Sequence, residues 1–126
     1  EVEKFRDLIR DSDALLISSP EYNGSVTGVL KNALDWASRK DNHTTRPLEG
    51  KAVAIIGAGG GSGTKNSQKH LQSILNHTKS TIIDNTYVGI EHTWKYVTNN
   101  NIDDSNIIEK LTKVAQDIYK YCLNEK

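Results

Sequence analysis

The chain of 126 residues has a single cysteine, Cys122, no methionine, two prolines and one phenylalanine. One cysteine cannot form an intrachain disulfide and suits a reducing compartment, so a cytoplasmic location is expected. Net charge is absent as well. The 16 basic and 16 acidic residues cancel, which leaves no basic footprint for nucleic acid or acidic lipid. No apolar run approaches the ~20 residues needed to cross a bilayer, and Phe5-Arg6-Asp7 interrupts any secretory apolar opening. Neither a nucleic acid nor a membrane is therefore expected as a partner. His43, His70, His77 and His92 are scattered, with no cysteine partner and no H-x-x-x-H spacing, so no metal is expected. Asn23, Asn42 and Asn76 head glycosylation tripeptides, read as chance without a secretion signal. The length fits one domain, 1–126, around one core. With no methionine and Glu1 in first place, the expectation is a fragment of a longer chain.

What is present alternates. Val2, Phe5, Leu8 and Ile9 share a face and predict a helix over 1–10. Residues 14–18 form an apolar strand, and 19–25 a polar turn. Val29, Leu30, Ala33, Leu34 and Ala37 then predict a helix over 26–39. A surface loop over 40–49 precedes a second strand, 51–56, whose unbroken apolar run reads as a buried parallel strand. Glycines crowd residues 57–63, and a helix starts near Thr64 with Leu71, Ile74 and Leu75 inward. A short β-branched strand over 81–83 follows, with 86–88 continuing it. Residues 89–101 read as a polar loop carrying aromatics. Ile107, Ile108, Leu111, Val114, Ala115, Ile118 and Cys122 mark a last helix, with Asp103 or Asp104 as its cap. Such alternation predicts an α/β fold with a parallel sheet, helices on both faces and right-handed crossovers. Ligands of such sheets bind beyond the carboxyl ends of the strands.

Two loops fall at those ends. Pro20-Glu21-Tyr22-Asn23-Gly24-Ser25 has the residues of an ordinary turn. In 57–63 a strand–glycine–helix order suits phosphate binding, but Ser62 breaks the G-x-G-x-x-G pattern and Thr64 separates Gly63 from Lys65, which breaks the P-loop. Asp84 lies about 20 residues on, where a dinucleotide fold places its ribose-binding acid. A Rossmann-type NAD(P)-binding dehydrogenase domain is therefore one reading.

Residues 20–25, followed by Gly28 and by Leu30-Lys31-Asn32-Ala33-Leu34-Asp35-Trp36, resemble the signature of the NADPH-dependent FMN reductase family. Its members are flavodoxin-like quinone, azo-dye and chromate reductases. One departure is Thr27, where many members carry proline. The resemblance implies a flavodoxin-like three-layer sandwich, incomplete because the family's first strand and its phosphate loop are absent from these residues. It implies FMN and NADPH as cofactors, with electrons passing from NADPH through FMN to a quinone, an azo compound or free flavin. By the same resemblance Pro20, Glu21, Tyr22, Asn23 and Gly24 would contact the flavin, and Gly59, Gly60 and Gly61 would border the other side of its ring. No residue is assigned a catalytic role, since the cofactor carries the redox chemistry. The helix bearing Trp36 would help build a homodimer or homotetramer contact. Without the phosphate loop FMN affinity is expected to be low, and strand 14–18 should be an exposed apolar edge. A degenerate, non-catalytic flavodoxin-like module is the third reading.

Overall fold

The computed structural model describes residues 1–40, 42–84 and 86–124; Asp41 of the expected 40–49 loop lies outside them. Helix α1 (Val2–Asp11) leads into strand β1 (Ala14–Ser18), helix α2 (Gly28–Ala37), strand β2 (Ala52–Ala58) and helix α3 (Lys65–His77). Strands β3 (Thr81–Ile82) and β4 (Val88–Ile90) follow, then a 3-10 turn (Thr93–Lys95), the hairpin β5 (Val97–Thr98) and β6 (Asn101–Ile102), and helix α4 (Ser105–Asn124).

β2 is the centre of the sheet. It pairs in parallel with β1 along its whole first five residues, from Ala14 opposite Ala52 to Ser18 opposite Ile56. On its other side it pairs with β3 at Ala52 and Val53 and with β4 at Ile56, Gly57 and Ala58, again in parallel. β3 and β4 thus share one strand position, as the expected continuation requires. Beyond the end of β3 the Thr86 hydroxyl donates to the Ile83 carbonyl at 2.7 Å.

Alternation along β2 divides the core. Val53 and Ile55 pack with Ile9, Leu34, Ala37, Leu48, Leu71 and Leu75 under α1, α2 and α3. Ala54 packs with Val88 and Val114, beside Ile56, Ile90, Leu111 and Ile118, under α4. Each large aliphatic side chain buried this way contributes about 1.5–3 kcal/mol relative to exposure. The result is helices, sheet, helix in three layers.

Helix boundaries have local causes. Thr27 caps α2: its Oγ1 accepts from the Leu30 amide at 3.1 Å. Its φ of −68° is the angle a proline would fix, so the departure from the family pattern leaves the backbone unchanged and adds a cap bond. The Asp104 carboxylate likewise accepts from the Ile107 amide at 2.9 Å and starts α4.

The apolar faces differ in part from expectation. α1 buries Arg6 and Ile9, leaving Val2, Phe5 and Leu8 exposed. Arg6 is buried because its guanidinium lies 5.7 Å from the Trp36 ring centre and donates to the Trp36 carbonyl at 3.0 Å, at the carboxyl end of α2. Val29, in the predicted α2 stripe, is 83% exposed, and so are Ile108 and Ala115 of α4 in large part. The sheet beneath them is too narrow to cover the whole stripe. Among the described residues β1 pairs only with β2. Leu15 and Ile17 point into the α1–α2 core, while Leu16, pointing the other way, is 53% exposed. Among the described residues no helix is long and apolar enough to cross a membrane.

Two glycines are required by the packing itself. A Cβ on Gly57 would lie 2.1 Å from Thr64 Oγ1 and 2.7 Å from the Ser19 carbonyl oxygen, and one on Gly89, its partner across the sheet, 2.2 Å from the Gly63 carbonyl oxygen. Gly60 differs, since a Cβ there would meet nothing within 4 Å. Gly57→Ala should therefore lower stability by about 1–3 kcal/mol, seen as a fall in the urea midpoint. Gly60→Ala should stay within about 0.5 kcal/mol of the parent. Equal effects of the two substitutions would contradict this packing.

Candidate functional site

Three loops meet beyond the carboxyl ends of the strands. The first follows β1. Asn23 and Gly24 both take positive φ, 50° and 77°, and the Tyr22 and Ser25 backbones bond to each other at 3.0 and 3.1 Å. This is the mirror-image two-residue turn that an Asn-Gly pair favours. The root of the loop is fixed from below. Buried Ser19 donates from its amide to the Ile56 carbonyl, and the hydroxyls of Ser19 and Ser67 both donate to the Pro20 carbonyl, at 2.9 and 3.0 Å. At the tip, Ser25 Oγ and His70 Nδ1 are 3.0 Å apart.

The second loop, residues 58–64, is tied to the first by Glu21. Its carboxylate accepts from the amides of Asn66 and Ser67 at 2.9 and 3.0 Å, from the Ser62 hydroxyl at 3.0 Å and from the Asn66 side-chain amide at 3.2 Å. These amides are the unsatisfied donors of the first turn of α3, where the helix dipole also favours an anion. The side chain of Glu21 thus closes the amino end of α3 in place of a residue of its own. Thr64, in the helix N-cap place, makes no such bond and sits in the left-handed region with φ 63°. Its hydroxyl instead accepts from Gln68 Nε2, which also donates to the Val88 carbonyl.

The third loop, 91–96, follows β4. Its His92 and Thr93 amides donate to the carbonyls of Gly60 and Gly59 at 3.1 and 3.2 Å. Its aromatic pair, His92 and Trp94, has ring centres 5.1 Å apart, and a Cβ on Gly61 would lie 3.5 Å from the His92 ring. In sequence this stretch is part of the expected polar loop 89–101 and shows no period. The available signal was its aromatic content, His92, Trp94 and Tyr96, at the end of a strand.

Pro20, Glu21, Tyr22, Asn23 and Gly24 therefore stand beside Gly59, Gly60 and Gly61, at one end of one sheet. Pro20, Tyr22, Asn23, Gly60 and Gly61 are exposed there. None of Gly59, Gly60 and Gly61 has a positive φ, and a Cβ would come no nearer than 3.2 Å to another atom at Gly59 and 3.5 Å at Gly61, and would meet nothing within 4 Å at Gly60. Neither strain nor internal packing explains three bare residues in a row, so the open floor they make is available to a ligand.

The dinucleotide alternative is weakened by the same geometry. The α3 amino end that a pyrophosphate would use is filled by Glu21, and Asp84 lines a separate cavity of about 280 Å³ with Lys113, Asp117, Lys120 and Tyr121 of α4. A wider cleft of about 740 Å³ lies at the opposite end of the sheet, lined by Lys31, Arg39, Lys40, Arg46 and Lys79 among others. Arg39, Lys40 and Lys79 follow the carboxyl ends of α2 and α3, where helix dipoles favour positive charge, and Lys31 and Lys79 are paired with Asp35 and Glu49, so these cations have a structural cause.

The Ser67 amide, outweighing desolvation and helped by Asn66 and Ser62, holds the Glu21 carboxyl below its ordinary value of 4.5. A depressed carboxyl adds stability that is complete above the unfolded value and is lost as pH falls through the folded one. Glu21→Gln should lower the urea midpoint near pH 7, and the gap to the parent should begin to narrow near the ordinary carboxyl value of 4.5 and close only at lower pH, once the folded carboxylate is itself protonated. A gap that stays constant across that range would show that the charge does not hold the loops together.

Comparison with known proteins agrees with the loop geometry. The family model described as NADPH-dependent FMN reductase matches residues 1–95. An NAD(P)H-dependent FMN reductase of Pseudomonas aeruginosa is 53% identical over 75 residues, covering 59% of this chain and 39% of that protein. A probable NADPH:quinone oxidoreductase of Oryza sativa is 37% identical over 125 residues, covering 97% of this chain and 61% of that protein. The chain thus spans less than two thirds of the length of these curated relatives. Among solved structures, the flavoenzyme NAD(P)H:(acceptor) oxidoreductase FerB of Paracoccus denitrificans superposes with a TM-score of 0.79 at 28% identity, over 93% of this chain and 65% of that one. A flavodoxin of Fusobacterium nucleatum superposes with a TM-score of 0.56 at 14% identity, over 95% of this chain and 85% of that one, and with the sheet order and the helices on both faces this makes the fold flavodoxin-like. With most of its length matched by the family model and its two loops set at the strand ends, the chain belongs to the NADPH-dependent FMN reductase family.

Proposed function

We propose that this chain carries the flavin-ring part of an FMN-dependent oxidoreductase that passes electrons from NADPH to a small acceptor of the quinone, azo or free-flavin kind. The observation that supports it most is the open glycine floor, Gly59 to Gly61, beside a turn whose shape is fixed from below. A planar ring needs that pairing of close backbone approach and a preset edge.

The residues divide the work. Gly59, Gly60 and Gly61 let a ring approach the backbone with no side chain between. Pro20 and the turn through Gly24 border its edge with backbone groups, and Tyr22 and Asn23 present exposed side chains. Glu21 acts through position: its carboxylate is spent on α3, so only its backbone faces the ligand. FMN, when bound, supplies the hydride and electron chemistry. The protein's task is to hold its ring in one orientation and leave a face open to the donor and then the acceptor.

A homodimer or homotetramer is part of the same proposal. Val2, Phe5 and Trp36 are exposed together around a shallow cavity of about 350 Å³ between α1 and α2 that Ala33 also lines, and Leu8 and Val29 of the same two helices are exposed as well. An apolar surface of this kind on a small domain marks an interaction face. The single free cysteine, Cys122, fits a cytoplasmic setting.

Two measurements test these statements. In a flavin-fluorescence titration Gly60→Ala, which the fold tolerates, should weaken FMN binding roughly tenfold or more by intruding on the ring; unchanged affinity would remove Gly60 from the site. In light scattering after gel filtration the parent should exceed the 14.0 kDa of one chain, and Phe5→Glu should return it to that mass. A parent that is already monomeric would sink the oligomer.

A further inference from the structure

The third loop holds an aromatic pair that nothing in the core requires. Trp94 is 67% exposed, one of two tryptophans in a chain with few aromatics. It lies on the Thr93–Lys95 turn with its ring tilted 30° to that of His92. His92 takes a left-handed backbone, φ 51°, which is uncommon for a residue with a side chain. The backbone is held there at both ends: the His92 amide donates to the Gly60 carbonyl at 3.1 Å, and the His92 carbonyl accepts from the Lys95 amide at 2.9 Å. The consequence is that the imidazole borders Gly61, with Trp94 continuing the wall outward from the glycine floor.

We propose that His92 and Trp94 form the wall against which the planar ring of the electron acceptor stacks, and that this wall selects conjugated quinone-type rings. The inference rests on the reading given under Proposed function and names its acceptor-binding residues. Stacking fits the surface on offer, since an aromatic face attracts a planar, electron-poor ring in offset geometry. Charge recognition does not fit as well. Glu91, the acid next to His92, is 3.0 Å from the Lys65 ammonium and is held below its ordinary ionisation range chiefly by that contact. The exposed face of the wall is therefore π surface, suited to a neutral ring. These two residues would bind and orient the acceptor; no proton or electron transfer is assigned to them.

The two indole N–H signals in a nitrogen–proton correlation spectrum of the full chain provide the test, with Trp94→Phe used for assignment. Three probes are added separately: 2-methyl-1,4-naphthoquinone, the unconjugated dicarbonyl cyclohexane-1,4-dione, and nicotinamide mononucleotide. The expected result is a saturable shift of the Trp94 indole with the naphthoquinone, little with the dione, and none at Trp36. Trp94→Leu, an exposed substitution that leaves the core intact, should weaken quinone binding roughly three- to tenfold, and Trp94→Tyr should restore most of it. A Trp94 signal indifferent to the quinone, an equal response to the dione, or a response to the nucleotide alone would overturn the proposal. FMN added to the same sample separates the two readings. If FMN moves the amides of 21–24 and 59–61 while the quinone leaves Trp94 unmoved, this inference fails and the flavin reading stands. If Trp94 answers the quinone but FMN moves neither loop, the flavin reading fails and the stacking wall stands.

Discussion

The bond set of one carboxylate organises the ligand end of this molecule. Glu21 leaves the loop after β1 and ends on the first amides of α3, which follows β2. Two loops that belong to different strands are thereby held to one another, and the amino end of α3 gains the anion that its dipole and unpaired donors call for. Remove the carboxylate and the Pro20–Gly24 turn keeps its internal Asn-Gly geometry but loses its register on the glycine floor. That is why Glu21 can matter to a ligand without its side chain touching one.

Around this tie the glycines do two unlike jobs. Gly57 and Gly89 face each other across β2 and β4 and let Thr64, Ser19 and Gly63 come close behind the strands. They are structural. Gly59, Gly60 and Gly61 face outward and have no such neighbour at contact distance below 3.2 Å. The same residue type therefore supports the floor in one place and leaves it bare in the other. β2, paired on both sides and buried on both faces, is the rigid base on which this arrangement stands.

The α/β alternation, the parallel central strand and the two loops at the strand ends were legible because they follow from periodicity and from turn chemistry at strand ends. Some details were not. Arg6 reads in sequence as part of a charged face, and its burial depends on Trp36, 30 positions away, offering both a ring and a carbonyl. Val29 and Ile108 fit their helical stripes by spacing but lie beyond the width of the sheet. The role of Glu21 was hidden because its partners, Ser62, Asn66 and Ser67, are more than 40 residues off. Residues 91–96 lack any period, and only the hydrogen bonds to Gly59 and Gly60 reveal that they border the same site.

The most direct measurement is a map of backbone amide shifts across the chain during an FMN titration, which registers weak binding as well as strong. Shifts clustered at residues 21–24 and 59–61, with the residues of the 740 Å³ cationic cleft silent, are the predicted result. Shifts confined instead to the cationic cleft of Lys31, Arg39, Lys40, Arg46 and Lys79 would show an anion held by charge at the wrong end of the sheet, and would contradict the flavin site built from the two loops.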